Sequence, residues 1–89
     1  MNKTEIKKAI NREVYEYVGT KYPDWIIDNS EGNGRVYFCD IHDHDNIIEY
    51  HQSQHDFCLY NWATDECKAV VKDLENFVRE TQSKYIYSK

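Results

Sequence analysis

Residues 46–62 read NIIEYHQSQHDFCLYNW, and how this stretch pairs with itself decides the fold. NIIEYHQ (46–52) and DFCLYNW (56–62) are rich in β-branched and aromatic residues, the composition of strands. A connection centred on Ser53–Gln54 folds them into a hairpin. Ser-Gln is not a strong two-residue turn pair, so a three- to five-residue loop is the alternative. With the turn centred there, Tyr50 faces Phe57 and Ile48 faces Leu59 on one side of the ladder, the core side. The other side collects Ile47, Glu49, His51, Asp56, Cys58, Tyr60 and Trp62. A one-residue slip would exchange the two sets.

Working outward, RVYFCDI (35–41) reads as the preceding strand, with Val36 and Phe38 inward and Arg35, Tyr37, Cys39 and Ile41 outward. WIID (25–28) reads as a first short strand, and NSEGNG (29–34) is dense in turn formers. HDHDN (42–46) is a polar loop. Ahead of these, Ile6, Ile10, Val14, Tyr17 and Val18 recur at three- and four-residue spacing and predict an amphipathic helix. Thr4 is the expected cap, Gly19 the expected stop, and Pro23 breaks the chain beyond it. Behind them, Thr64 caps a second helix to about Gln82. Asp65 and Glu66 sit in its first turn, where the helix dipole favours anions. Cys67, Val70, Val71, Leu74, Phe77 and Val78 form its apolar stripe. The tail KYIYSK (84–89) either docks through Tyr85 and Ile86 or frays. Every strand connection is short, which predicts an antiparallel meander. The expected fold is a two-layer α+β domain of order α-β-β-β-β-α, with two helices on one face of the sheet and residues 1–89 forming one domain.

Charge is unevenly placed. Residues 1–23 carry five Lys/Arg and three Asp/Glu, residues 24–66 one Arg and ten Asp/Glu, and residues 67–89 five Lys/Arg and three Asp/Glu. A net −9 over the middle segment repels phosphate and disfavours nucleic acid as its partner. The element order is similar to that of double-stranded-RNA-binding domains. Those domains carry lysines at the start of their second helix, where this chain has Ala63-Thr64-Asp65-Glu66, so the likeness stops at topology. No stretch is apolar enough to span a bilayer, and the first residues lack the apolar run of a signal peptide, so a cytoplasmic location is expected. Abundant Asn, Ile, Lys and Tyr fit an AT-rich coding genome.

The acidic middle segment holds all four histidines, yet no recognised metal spacing. His42 and His44 belong to one turn, and His51 and His55 to the far end of the next strand, roughly 13 Å away. One ion does not bridge them, and neither a metal nor a cofactor is expected. Three cysteines read as reduced, part-buried side chains. With two strand spacings between them, roughly 9–10 Å, Cys39 and Cys58 flank Glu49 from opposite sides without bonding. Cys67 opens a helix beside Asp65 and Glu66, which oppose a thiolate. No catalytic constellation stands out.

The expectation is therefore a non-enzymatic acidic protein-binding module. Tyr37, Tyr60 and Trp62 would anchor it, with Asp40, Asp43, Asp45, Glu49 and Asp56 as charge partners. Its partner would be a basic protein surface, such as that of a nuclease or another nucleic-acid-binding protein. This is the manner of phage and mobile-element inhibitors that mimic DNA and block restriction or CRISPR enzymes. The alternatives are an immunity protein against a basic toxin and a self-associating structural subunit, for instance a homodimer. Protonation of the histidines would weaken capture below about pH 6.5.

Overall fold

The structure, a computed structural model, describes residues 1–85 in full and the backbone of residue 86. Its order is α1 (Lys3–Lys21), β1 (Trp25–Asp28), β2 (Arg35–Asp40), β3 (Ile47–His51), β4 (Asp56–Leu59) and α2 (Asp65–Ile86). The four strands lie in sequence order and every pair is antiparallel. This is the α+β meander that the short connections predict.

The hairpin has the predicted register, with Tyr50 opposite Phe57 and Ile48 opposite Leu59. Its loop has four residues, Gln52–His55. His55 closes it: its N–H donates to the His51 carbonyl at 2.8 Å, and its φ of 59° is left-handed. Histidine is among the few non-glycine residues that take this conformation readily. The turn also carries the His55 ring inward. Strand geometry alone leaves His55 at the surface beside His51, but it is buried, with Nδ1 at 3.0 Å from both the Tyr50 hydroxyl and Asn11 Oδ1. Tyr50 in turn donates to Asn11. A neutral imidazole protonated at Nδ1 satisfies all three groups, so the ring enters the core with that nitrogen paired.

One core cluster joins the layers. Val36, Phe38, Ile48 and Tyr50 point inward from the central strands and meet Ile10, Val14 and Val18 of α1 and Cys67, Val71, Leu74 and Val78 of α2. Phe38 stacks on Tyr50 with ring centroids 5.7 Å apart, and Tyr15 meets both rings edge-on. Asp73 of α2 accepts from the Tyr17 and Tyr22 hydroxyls and pairs with Lys21 at 2.8 Å, tying the helices together. Burial pushes the Asp73 carboxyl up, but these three donors outweigh it and hold it below its usual value. Burial, reinforced by Asp73, pushes the Tyr22 phenol up to about 12. Near the end of α2, Lys84 and Tyr85 both bond Glu13. Tyr85 thus docks as expected, while the expected docking of the Ile86 side chain lies outside the described residues.

Three helix boundaries differ from expectation, one of them the end of α2, which runs past Gln82 to Ile86. Asn2, not Thr4, caps α1, its side chain accepting from the Glu5 N–H at 2.8 Å. α1 also runs through Gly19 to Lys21, because a glycine without positive φ only weakens a helix that packing holds. For α2, the expected cap holds, with Thr64 Oγ1 accepting from the Cys67 N–H at 3.2 Å.

His55 gives stability a pH dependence with a definite sign. Burial, helped by the Lys7 charge and opposed by Asp56, lowers its pKa below 6.5. A histidine kept neutral by the fold contributes fully above its unfolded pKa, and that contribution is lost as pH falls through the folded one. His51 acts oppositely: hydrogen bonding to Glu49, then Asp56, raises its pKa, so its contribution is full below 6.5 and fades as pH rises. His55→Asn keeps a residue that tolerates the left-handed turn. The variant is expected to lose less stability than the parent between pH 7.5 and 5.5, measured by urea midpoints. Equal losses would show that His55 does not carry the effect.

Candidate functional site

Strand alternation and register fix what the sheet's outer face presents. One row across the strands is Ile26, Cys39 and Ile47. The next is Asp28, Tyr37, Glu49 and Cys58. The third is Arg35, His51 and Asp56. Both helices pack on the inner side, and Ile26 on the outer face is 57% exposed. Among the described residues no element covers this face. Cys39 and Cys58 lie two strands apart and are free, as expected. Only Cys58 sits directly opposite Glu49, whose other neighbour is Tyr37; Cys39 faces Ile47.

The meander gathers one group of acidic residues at one end. β1 starts there, β2 ends, β3 starts and β4 ends. That end therefore carries Asp24, the loop 41–46, the segment 60–64 and the first turn of α2. Asp24, Asp43, Asp45, Asp65 and Glu66 are all exposed there. Trp62 is 54% exposed and Ile41 47%. An Asx turn braces the loop: Asp43 Oδ1 accepts from the Asp45 N–H at 3.0 Å. His42 Nε2 lies 3.1 Å from Asp24 Oδ2 and ties the loop to the start of β1. Beside it opens a cleft of about 360 Å³, whose lining includes Lys21, Trp25, Asp24, Asp43 and Glu66. Such a cleft suits the stem and cationic head of a lysine or arginine.

Tyr60 and Trp62 are expected on the outer face of a continuing strand. β4 instead ends at Leu59, and a turn closed by the Ala63 N–H to the Tyr60 carbonyl stacks the two rings. Their centroids are 4.8 Å apart and their planes 3° from parallel. They form one flat aromatic plate beside the acidic loop.

The structure sorts the expected charge partners. Asp43 and Asp45 are exposed and available. Asp40 is not: it is buried on the inner face, where Oδ1 accepts from the His42 N–H at 2.9 Å and Oδ2 from Asn46 Nδ2 at 3.1 Å. The backbone bond from His42, then the Asn46 bond, hold its carboxyl below the usual value. Its role is to shape the loop, and its parity along β2 already points it inward. Glu49 and Asp56 lie nearer the opposite end and clamp His51, with Nε2 to Glu49 Oε2 at 2.6 Å and Nδ1 to Asp56 Oδ1 at 2.7 Å. Tyr37 is half-buried beside Glu49; burial, then that carboxylate, pushes its phenol up. Sequence reasoning missed Asp24, Asp65 and Glu66 as members of the acidic end, because only topology brings them to the loop.

In comparisons with protein-family models, curated proteins and solved structures, nothing matches this chain. Among the described residues no helix is long and apolar enough to cross a membrane.

Proposed function

We propose that the chain is a protein-binding module that docks its acidic sheet end onto a basic surface of another protein. The observation that carries this reading is the company kept at that end: five exposed carboxylates share it with exposed Trp62 and Ile41. Clustered negative charge steers a basic partner and raises its association rate, and desolvated aromatic anchors then supply affinity. A surface evolved to bind phosphates, such as that of a nuclease, presents the matching charge. Occupying it would inhibit nucleic-acid binding, as a DNA mimic does.

The test begins with affinity capture from host lysate and identification of the partner by mass spectrometry. Asp43→Lys with Asp45→Lys is then expected to slow association at least about tenfold at low salt, with little change in dissociation. Trp62→Ala is expected to act mainly on dissociation. A partner that associates with both variants at the parental rate and salt dependence would sink the reading. The uncovered Ile26–Cys39–Ile47 row makes self-association the second reading. Light scattering over a concentration series detects it as a rise towards twice the monomer mass.

A further inference from the structure

On the outer face, away from the acidic end, β3 and β4 bring three different donors together. Glu49 and His51 are two residues apart on β3 and share a face, and Cys58 stands directly opposite Glu49 in the ladder. Their ligating atoms, a carboxylate oxygen, an imidazole nitrogen and a thiol sulfur, all lie within 4.8 Å of one another. Around a tetrahedral zinc ion, with bonds of about 2.0–2.3 Å, ligand atoms sit roughly 3.3–3.8 Å apart. Small side-chain rotations on the two-strand frame reach these separations, opening the 2.6 Å approach of His51 Nε2 to Glu49 Oε2 to admit the ion.

The second coordination layer is also in place. Asp56, directly opposite His51, holds Nδ1 at 2.7 Å. A carboxylate on the far nitrogen of a metal-binding histidine fixes the ring and leaves Nε2 to face the metal. Here Nε2 faces Glu49 Oε2 at 2.6 Å, so a proton now occupies the position between two ligands.

We propose that Glu49, His51 and Cys58 form a zinc site, with Asp56 as the residue that positions His51. The mixture of thiolate, imidazole and carboxylate suits a borderline-soft ion, whereas calcium and magnesium select oxygen donors alone. Three protein ligands leave the fourth tetrahedral position to water or to a donor from a bound molecule. Binding displaces the proton between His51 and Glu49 and the thiol proton of Cys58. His42 and His44 lie at the other end of the sheet and take no part. The site is independent of the docking proposal, since its donors are not the exposed carboxylates of the acidic end.

The experiment uses the full chain under a thiol-free reductant, titrated with Co²⁺ alone and with Zn²⁺ against a chromophoric chelator. The expected result is one ion per chain, a thiolate-to-cobalt charge-transfer band, and displacement of Co²⁺ by Zn²⁺. Cys58→Ser should abolish the band. His51→Gln and Glu49→Gln should each weaken Zn²⁺ binding at least about tenfold. Asp56→Asn should weaken it about 10–100-fold while keeping the band, the mark of a positioning residue. Far-ultraviolet circular dichroism confirms that each variant is folded, and His42→Gln with His44→Gln should leave affinity unchanged. No charge-transfer band with the parent protein, or Zn²⁺ affinity unchanged in folded Cys58→Ser and His51→Gln, would overturn the site.

Discussion

Replacing Phe38 with alanine is expected to destabilise the fold by about 3–5 kcal/mol, the usual cost of emptying a large aromatic site in a core. Phe38 is fully buried on the inner face of β2 and contacts the rings of Tyr15, Tyr50 and Phe57. Those neighbours come from α1, β3 and β4, so no single element can shift to fill the space. A chain of this length has a total stability of about 4–13 kcal/mol. The substitution therefore removes a large share of it, and all of it at the lower end of that range. Urea unfolding followed by tryptophan fluorescence measures the loss. The matched control is Ile26→Ala on the outer face of the neighbouring strand, where the side chain is exposed and the expected change is about 0.5 kcal/mol or less. Similar costs at both positions would mean that the two sheet faces are wrongly assigned.

The second large effect is expected at Asn46, which is 1% exposed. Its Nδ2 donates to Asp40 at 3.1 Å and its Oδ1 accepts from Thr64 at 2.6 Å. Thr64 in turn caps α2 through the Cys67 N–H. Asn46→Ala strips a partner from a buried carboxylate and from the capping hydroxyl at once. The expected cost is about 3 kcal/mol, since one of the bonds lost goes to a charged group. Asn46→Asp separates this from a simple packing loss. It keeps the shape but sets a second carboxylate against Asp40, and like charges raise the pKa of one of the pair. Its stability should be lowest near neutral pH and should recover relative to Asn46→Ala as the medium is acidified. Parallel pH profiles for the two variants would refute the network as described.

The hairpin register is legible in the sequence because Tyr50 and Phe57, and Ile48 and Leu59, pair in only one register centred on Ser53–Gln54. The helix stripes are legible for a similar reason, their apolar spacing leaving little choice of face. The site is harder to read. Glu49, His51, Asp56 and Cys58 already fall on one side of the predicted hairpin, yet separation along the chain sets the histidines apart from the other donors. A ladder places residues from adjacent strands within about 5 Å whatever their sequence distance. No linear metal-binding motif marks these donors because they meet across strands, Glu49 with Cys58 and His51 with Asp56. Asp40 is misleading because its charge suggests the surface while its parity along β2 points it into the core. His55 is misleading because only the backbone path reveals that a four-residue turn ends by pointing inward. The Asn2 cap is a half-turn offset between two residue types that both cap helices well.

A meander also has ends. β1 and β4 are the two outermost strands, and each is only four residues long. Each offers few free backbone groups to an incoming strand, and each carries an aspartate, Asp28 or Asp56, at one terminus. Short, charged edges are how sheets resist joining edge to edge into aggregates. The molecule thus separates two kinds of stickiness. Its outer face leaves the Ile26–Cys39–Ile47 row uncovered, while its rims discourage the growth of fibrils.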